Sequence, residues 1–391
     1  MNRYSYPPIQ RAKLLFWRRV NDGLEFVRTP VRRPVVYLAT GDALPEKASA
    51  VEARLRFLVG HLGEPLEIQR APAASPLDYL RSAAVVAADP RALNPVAVSR
   101  LRWVADLDHE TNPDDGWDLM HLGVALRGRR VQRRAVSDAR KTFVGHVRRL
   151  LAQGERPAYI FGTGPSLQRA GERDFGDGAT VVCNTIVRDR DLWHHLAPAI
   201  LTAGDAIYHF GENAHARAFR ADALKRLLES NGRTLFVYPA MFDVVVRSEF
   251  QEVRNVLVPI PFGEHTDMTV DLTKRFSVPL VDNVLNNMLL PLGCTLSKEV
   301  CLWGFDGRGP TDTGFWANSN RQAYPELMQS IRDSHPAFFA NKVPKGNEVK
   351  YVNQVHGDLL DERLTEAEGR GFTFRMLHPS WTPTLQKRFP G

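Results

Sequence analysis

The sequence predicts an α/β protein: a doubly wound, mostly parallel Rossmann-like sheet preceded by a smaller α/β domain. Three observations carry this. Short β-rich apolar runs alternate with longer amphipathic stretches, the pattern of strand–helix units in a parallel sheet. The 391 residues exceed what one hydrophobic core ordinarily organises. Glycines and isolated polar residues gather just after the apolar runs, where ligands bind in such sheets.

In the first part, residues 34–39, 66–69, 83–88 and 101–106 have strand character, with a helical stretch over 47–62. TNPDDG at 111–116 is a loop signal. The basic stretch 133–153 forms a long amphipathic pattern and is expected to be a connecting helix. Strand-like runs follow at 158–162, 179–184, 197–203, 234–239, 256–260, 299–304 and 372–377. Helical patterns fill 213–229, 282–292, 321–332 and 358–367. The long Gly/Pro/Asn-rich stretches 306–320 and 333–353 have the length of functional loops. The expected division is a basic aromatic segment over 1–33, a small α/β domain over 34–132, a connecting helix over 133–156, and a Rossmann-like domain over 157–391.

The composition is that of a soluble globular protein, 43% hydrophobic and 24% charged. No apolar run is long and clean enough for a transmembrane span, and no signal-peptide pattern opens the chain. Cys183, Cys294 and Cys301 lack metal-site spacing and read as buried thiols in a reducing compartment. A cytoplasmic location is expected, peripheral at the inner membrane face. The net charge of +7 is unevenly spread. Residues 1–33 mix Arg3, Arg11, Arg18, Arg19, Arg28, Arg32 and Arg33 with Tyr4, Tyr6, Phe16 and Trp17, which suits an anionic membrane surface. A second cluster runs from Arg127 to Arg149. A solvated arginine-rich face explains the same residues equally well. No nucleic-acid motif accompanies the charge, so no nucleic-acid partner is expected.

The stretch YIFGTGPSL, 159–167, ends an apolar strand on Gly162-Thr163-Gly164 and starts a helix with Pro165 and Ser166. Glycines let backbone N–H groups approach an anion closely, and proline suits the first helical position. A tight turn without a ligand has the same residues. Asn184 closes the next strand, and its carboxamide can pair with a base or sugar edge. Asp205 follows the third strand. Asp282 and Asn283 open a helix. Asp306 and Arg308 follow the strand EVCLW, and His356 precedes the last acidic helix. The run from Asp106 to Glu110 contains a D-x-D pattern, the main alternative for metal chemistry. No metal site and no required cofactor are expected.

The ordered set GTGPSL, then CN, then GFDGRG, then HGD before a helix resembles the bacterial sialyltransferases of glycosyltransferase family 42 over residues 157–380. Motility-associated-factor proteins that glycosylate flagellin share the GPSL turn. The resemblance implies an inverting transfer of sialic acid or a related nonulosonic acid from a CMP-activated donor to a surface glycan. It places the CMP phosphate at Gly162, Thr163, Gly164 and Ser166, the nucleotide at Asn184 with Asp205 nearby, and the general base at His356. Thr163 stands where the family has asparagine, and Asp282-Asn283 where it has a serine-glycine pair. Arg308 replaces one tyrosine that assists the departing phosphate, and Phe315 or Trp316 the other.

Chemistry fits these roles. A sugar hydroxyl needs a base to attack an anomeric carbon near neutral pH, which suits histidine. A guanidinium at Arg308 can stabilise the leaving phosphate bidentately. Two alternatives share the fold: a magnesium-dependent pyrophosphokinase-like or phosphotransfer enzyme, and a non-catalytic nucleotide-binding scaffold in glycan assembly.

Overall fold

The computed structural model describes residues 35–73, 82–89, 104–265, 267–281, 283–307, 309, 323–341 and 357–391. His356, Arg308, Asp282, Phe315, Trp316 and the segment 1–33 lie outside them. The chain divides into two compact units, one of Met1–Arg129 with Arg332–Lys342, the other of Arg130–Ile331 with Val343–Gly391. The expected division by sequence position has no counterpart to the return of 332–342 into the first unit.

The first unit holds a four-stranded sheet in the order β2-β1-β3-β4, with β1 at Val35–Ala39, β2 at Glu67–Ala71, β3 at Ala84–Ala87 and β4 at Val104–Asp106. All its pairs are parallel. Helix α1, Pro45–Gly60, has proline in its first turn and buries Val51, Leu55 and Leu58. Helix α2 spans Asp115–Arg127. Asp115, wholly buried at its start, is ion-paired to Arg54 of α1 and bonded to His335 Nδ1 at 3.0 Å. Burial opposes its charge, but the His335 bond and the Arg54 charge hold its carboxyl below the usual range. The Ala337 N–H, donating to the His109 carbonyl at 3.0 Å, is a second tie between 332–342 and this unit.

The second unit opens with helix α3, Arg129–Leu151 by its full span, whose apolar side buries Ala139, Phe143 and Val147. Its seven-stranded sheet runs β13-β12-β5-β6-β7-β8-β9 and is parallel throughout. The strands are β5 at Ala158–Phe161, β6 at Ala179–Cys183, β7 at Ile200–Thr202, β8 at Leu235–Pro239, β9 at Leu257–Ile260, β12 at Glu299–Trp303 and β13 at Thr373–Met376. AYIF, ATVVC, ILT, LFVYP and LVPI are buried at every position, as strands covered by helices on both faces must be. A two-stranded pair, β10 (Phe262–Gly263) and β11 (Val278–Pro279), lies outside the main sheet. The flanking helices include α4 (Arg190–Leu196), α5 (Ala214–Ser230), α6 (Asp243–Glu249), α7 (Leu290–Leu296) and α10 (Leu359–Glu368); between α7 and α10 in the chain come α8 (Met328–Ser334) and α9 (Pro336–Asn341), the latter within the first unit. This is a Rossmann-like α/β architecture.

The stretch expected as one helix over 282–292 begins instead as a π-helical turn, Leu285–Leu289, before α7. Pro291 explains part of this, because it has no N–H for the preceding turn. All three cysteines are buried and free. Burial pushes the Cys294 thiol up to about 12 and Cys301 to about 11, so neither ionises near neutral pH. No helix among the described residues is long and apolar enough to cross a membrane.

Candidate functional site

The chain runs outward from β5 through β6, β7, β8 and β9, then returns to lay β12 against the other side of β5. The strand order therefore reverses between β5 and β12, and crevices at such reversals, beyond the carboxyl ends of the strands, are where doubly wound sheets take ligands. The register pairs Trp303 with Phe161, Phe161 with Val182, and Cys183 with Thr202. One step further along, the GTGPS turn, Asn184 and GFDG stand side by side at this carboxyl edge.

The glycines of GTGPS are required by the loop after β12. A Cβ on Gly162 would stand 2.5 Å from the Gly304 carbonyl oxygen, and one on Gly164 2.7 Å from the same oxygen. Gly304 has φ +81, and its own Cβ would meet the Gly162 oxygen at 2.2 Å. The Gly164 N–H donates to the Gly304 carbonyl at 2.9 Å, lacing the two loops together. Pro165 then opens the expected helix, which is a 3-10 helix over Pro165–Glu172.

The anion at this helix start is the protein's own. Asp306 accepts the Ser166 N–H on Oδ1 at 3.0 Å and the Ser166 hydroxyl on Oδ2 at 2.8 Å. His378 completes the lock: its Nε2 accepts the Gly304 N–H at 3.0 Å and lies 2.9 Å from Ser166 Oγ. Nδ1 then carries the ring proton and donates it to the Pro379 carbonyl at 2.8 Å. The Trp303 indole N–H donates to the Ser166 carbonyl at 2.9 Å, and the Trp381 N–H to the Asp306 carbonyl at 2.7 Å. Ser166 and Asp306, both expected as nucleotide contacts, thus give their polar atoms to each other. No motif or spacing marks His378, which follows the last strand in HPSW.

Two further expected contacts fold their side chains onto their own loops. Asp205 accepts the N–H groups of Ile207 and Tyr208 on Oδ1, both at 2.7 Å. Asn283, at φ +91, accepts those of Leu285 and Asn286 at 2.7 and 3.1 Å and so caps the π-helical turn. Thr163 lies between the two laced glycines.

Asn184 differs from all of these. It follows β6 at φ +53, a left-handed conformation that costs an L-residue energy, and it opens the 3-10 turn Asn184–Arg188. Its Oδ1 is buried and accepts no hydrogen bond. An orphaned buried carbonyl typically costs about 1–3 kcal/mol. Strain and an unmet acceptor thus coincide in one residue at the sheet's carboxyl edge. Thr202, paired in register with Cys183, adds a buried hydroxyl without a partner, and Asn287 in the π-helical turn adds an unpartnered Oδ1. The polar pair Asn286-Asn287 inside the apolar run VLNNMLL was the legible signal for the last of these. π-Helical turns recur at functional sites because they re-aim side chains inside an otherwise regular helix.

The D-x-D segment lies in the first unit. Asp108 is ion-paired to Lys47 and accepts the Thr111 hydroxyl and the Glu110 N–H, the last at 3.1 Å. Burial opposes its charge, and these donors more than compensate, holding its carboxyl below the ordinary range. It is a structural carboxylate. Among the described residues, no group of three or more His, Cys, Asp or Glu side chains is placed to hold a metal ion.

No family model matches the chain, and no curated protein and no solved structure matches it.

Proposed function

We propose that this protein is an inverting glycosyltransferase that takes a CMP-activated acidic sugar, sialic acid or a related nonulosonic acid, and transfers it to a bacterial surface glycan. The observation that carries the nucleotide part is Asn184: a strained residue with an unmet buried acceptor beside the strand-order reversal. A cytosine presents an exocyclic amino donor, the complement of an orphaned carboxamide oxygen. The sugar chemistry rests on the resemblance of the sequence motifs.

In this proposal the nucleotide lies over Asn184 and Thr163, outside the Ser166–Asp306 lock. The lock keeps the floor of the crevice rigid while the ligand changes. His356 takes the proton from the acceptor hydroxyl as it attacks the anomeric carbon, and the bond to the CMP phosphate breaks on the opposite face, inverting the configuration. Arg308 meets the charge that grows on the leaving phosphate. A positioned base of this kind contributes roughly 10²–10⁴-fold. Phe315 or Trp316 flanks the acceptor side. Residues 1–33 hold the protein at the anionic membrane face where such glycans are built.

The test is a thermal-shift panel of CMP, CDP, UDP, GDP and ATP, followed by a CMP-release assay with a CMP-activated acidic sugar. A ligand at 100 times its dissociation constant adds about 2.7 kcal/mol of stability. CMP is expected to give the largest shift, and His356→Ala to keep that shift while losing CMP release. A preference for ATP with a magnesium requirement would replace the transfer reaction with phosphotransfer. CMP release unchanged in His356→Ala would remove the base from its role.

A further inference from the structure

A second cleft lies on the opposite edge of the seven-stranded sheet. Ala179, Ala199 and Thr234, at or just before the starts of β6, β7 and β8, form part of its wall, and the last turns of α3 form another. Its volume of about 630 Å³ is within the ordinary range of small-molecule sites, roughly 300–1,000 Å³. All of it belongs to the second unit, and none of its wall belongs to the crevice at the carboxyl edge.

The charges of this cleft do not cancel. Arg149, Arg156 and Arg233 line it, with Asp174 and Glu229 as its acidic side chains. Glu229 is already matched by Arg190 at 3.1 Å, Arg226 at 2.9 Å and His194 at 3.3 Å. Asp174 spends one oxygen on the Gly176 N–H at 2.8 Å. The three lining arginines make no ion pair with either. Arg149 is aimed by its neighbour. One of its guanidinium nitrogens, Nη2, donates to His146 Nδ1 at 3.3 Å, and His146 Nε2–H donates to the Ala199 carbonyl at 3.2 Å. That tautomer needs a neutral ring, and burial together with the Arg149 charge lowers the His146 pKa, which keeps it so. Arg233 is fixed by its Nε–H to the Ser230 carbonyl at 3.0 Å, which leaves its terminal nitrogens for a ligand.

We infer that this cleft binds a small molecule bearing one or two phosphate groups. Guanidinium groups present paired donors that match phosphate oxygens, and three of them at one hollow balance the charge of a diphosphate. Phe175 and Trp193, largely buried in the same wall, close its inner side with apolar surface. The site is separate from the proposed donor site, because a parallel sheet puts all the strand starts on one edge and all the strand ends on the other. It stands whether or not the transfer reaction does.

Isothermal titration of the full chain with inorganic pyrophosphate tests it. The wild type is expected to bind at one site, and Arg149→Glu with Arg156→Glu together to weaken binding by at least about tenfold, roughly 1.4 kcal/mol. Arg148→Glu, one residue along on α3 and outside the cleft, is the control for general charge and is expected to leave binding unchanged. Should the double variant fail to fold, Arg233→Ala alone replaces it, with a smaller loss expected. No binding by the wild type, equal binding by the cleft variants, an equal loss in Arg148→Glu, or a loss caused by Asn184→Ala instead would each overturn the assignment.

Discussion

Replacing Asn184 with glycine separates what this residue does for the fold from what it does for a ligand. At φ +53 the asparagine sits in a conformation that costs an L-residue about 1–2 kcal/mol, the lower end applying to asparagine, and that glycine adopts freely. Glycine gives back about 0.4–1 kcal/mol through the greater freedom of the unfolded chain. Removing the buried, unbonded Oδ1 relieves a further penalty of about 1–3 kcal/mol. Taking the lower end of the strain, the sum is a net stabilisation of about 1–3.6 kcal/mol, or roughly 2–14 °C in Tm for a unit of this size. Asn184→Ala removes the same oxygen but keeps the strain, so it is expected to melt below Asn184→Gly by about 1 kcal/mol, the strain less the glycine entropy. Both are expected to lose the CMP-dependent shift, the stability–function exchange of a binding residue. Differential scanning calorimetry with and without CMP reads both effects. An Asn184→Gly protein that melts below the wild type, or that still responds fully to CMP, would refute the reasoning.

Three further outcomes follow from the same geometry. Gly304→Ala sets a Cβ 2.2 Å from the Gly162 carbonyl oxygen at φ +81, and a loss of more than about 3 kcal/mol, or failure to fold, is expected in urea denaturation. Asp306→Ala removes the carboxylate from the Ser166 N–H and hydroxyl and is expected to cost about 1–2 kcal/mol, as losing a helix cap does, by the same measurement. Asp115→Asn breaks the buried contacts to Arg54 and His335 at an expected cost of about 3–5 kcal/mol near neutral pH. The Asp115 pKa is depressed in the folded state, so its contribution is present above the unfolded value near about 3.9 and is lost as the pH falls through the folded one. The urea midpoints of wild type and Asp115→Asn are therefore expected to converge on acidification below about pH 4.

The parallel sheet was legible because its strands are continuous apolar runs of β-branched and aromatic residues, such as TVVC and LFVY, closed by glycine or a lone polar residue. The place of Asn184 and of GTGPS at strand ends could be read the same way. What the glycines are for could not. A strand–Gly–x–Gly–helix turn looks alike whether the Cβ atoms are excluded by a phosphate or by another loop, and here the excluding atom is the Gly304 carbonyl, more than a hundred residues away. For the same reason the partnership of Ser166 with Asp306 and His378 left no local trace. The return of 332–342 to the first unit rests on the His335 bond to the buried Asp115 and the Ala337 bond to His109, contacts that periodicity does not encode. The π-helical turn at Leu285–Leu289 was masked by a run that is apolar enough for an ordinary helix.

The most direct measurement is a crystal structure of the full-length protein grown with CMP. The cytosine is expected within hydrogen-bond distance of Asn184 Oδ1, at the reversal between β5 and β12, with Asp306 still holding Ser166. CMP seated elsewhere, whether in the arginine cleft at the strand starts or nowhere on the protein, with Asn184 Oδ1 still unbonded, would contradict the assignment of this edge as a nucleotide site.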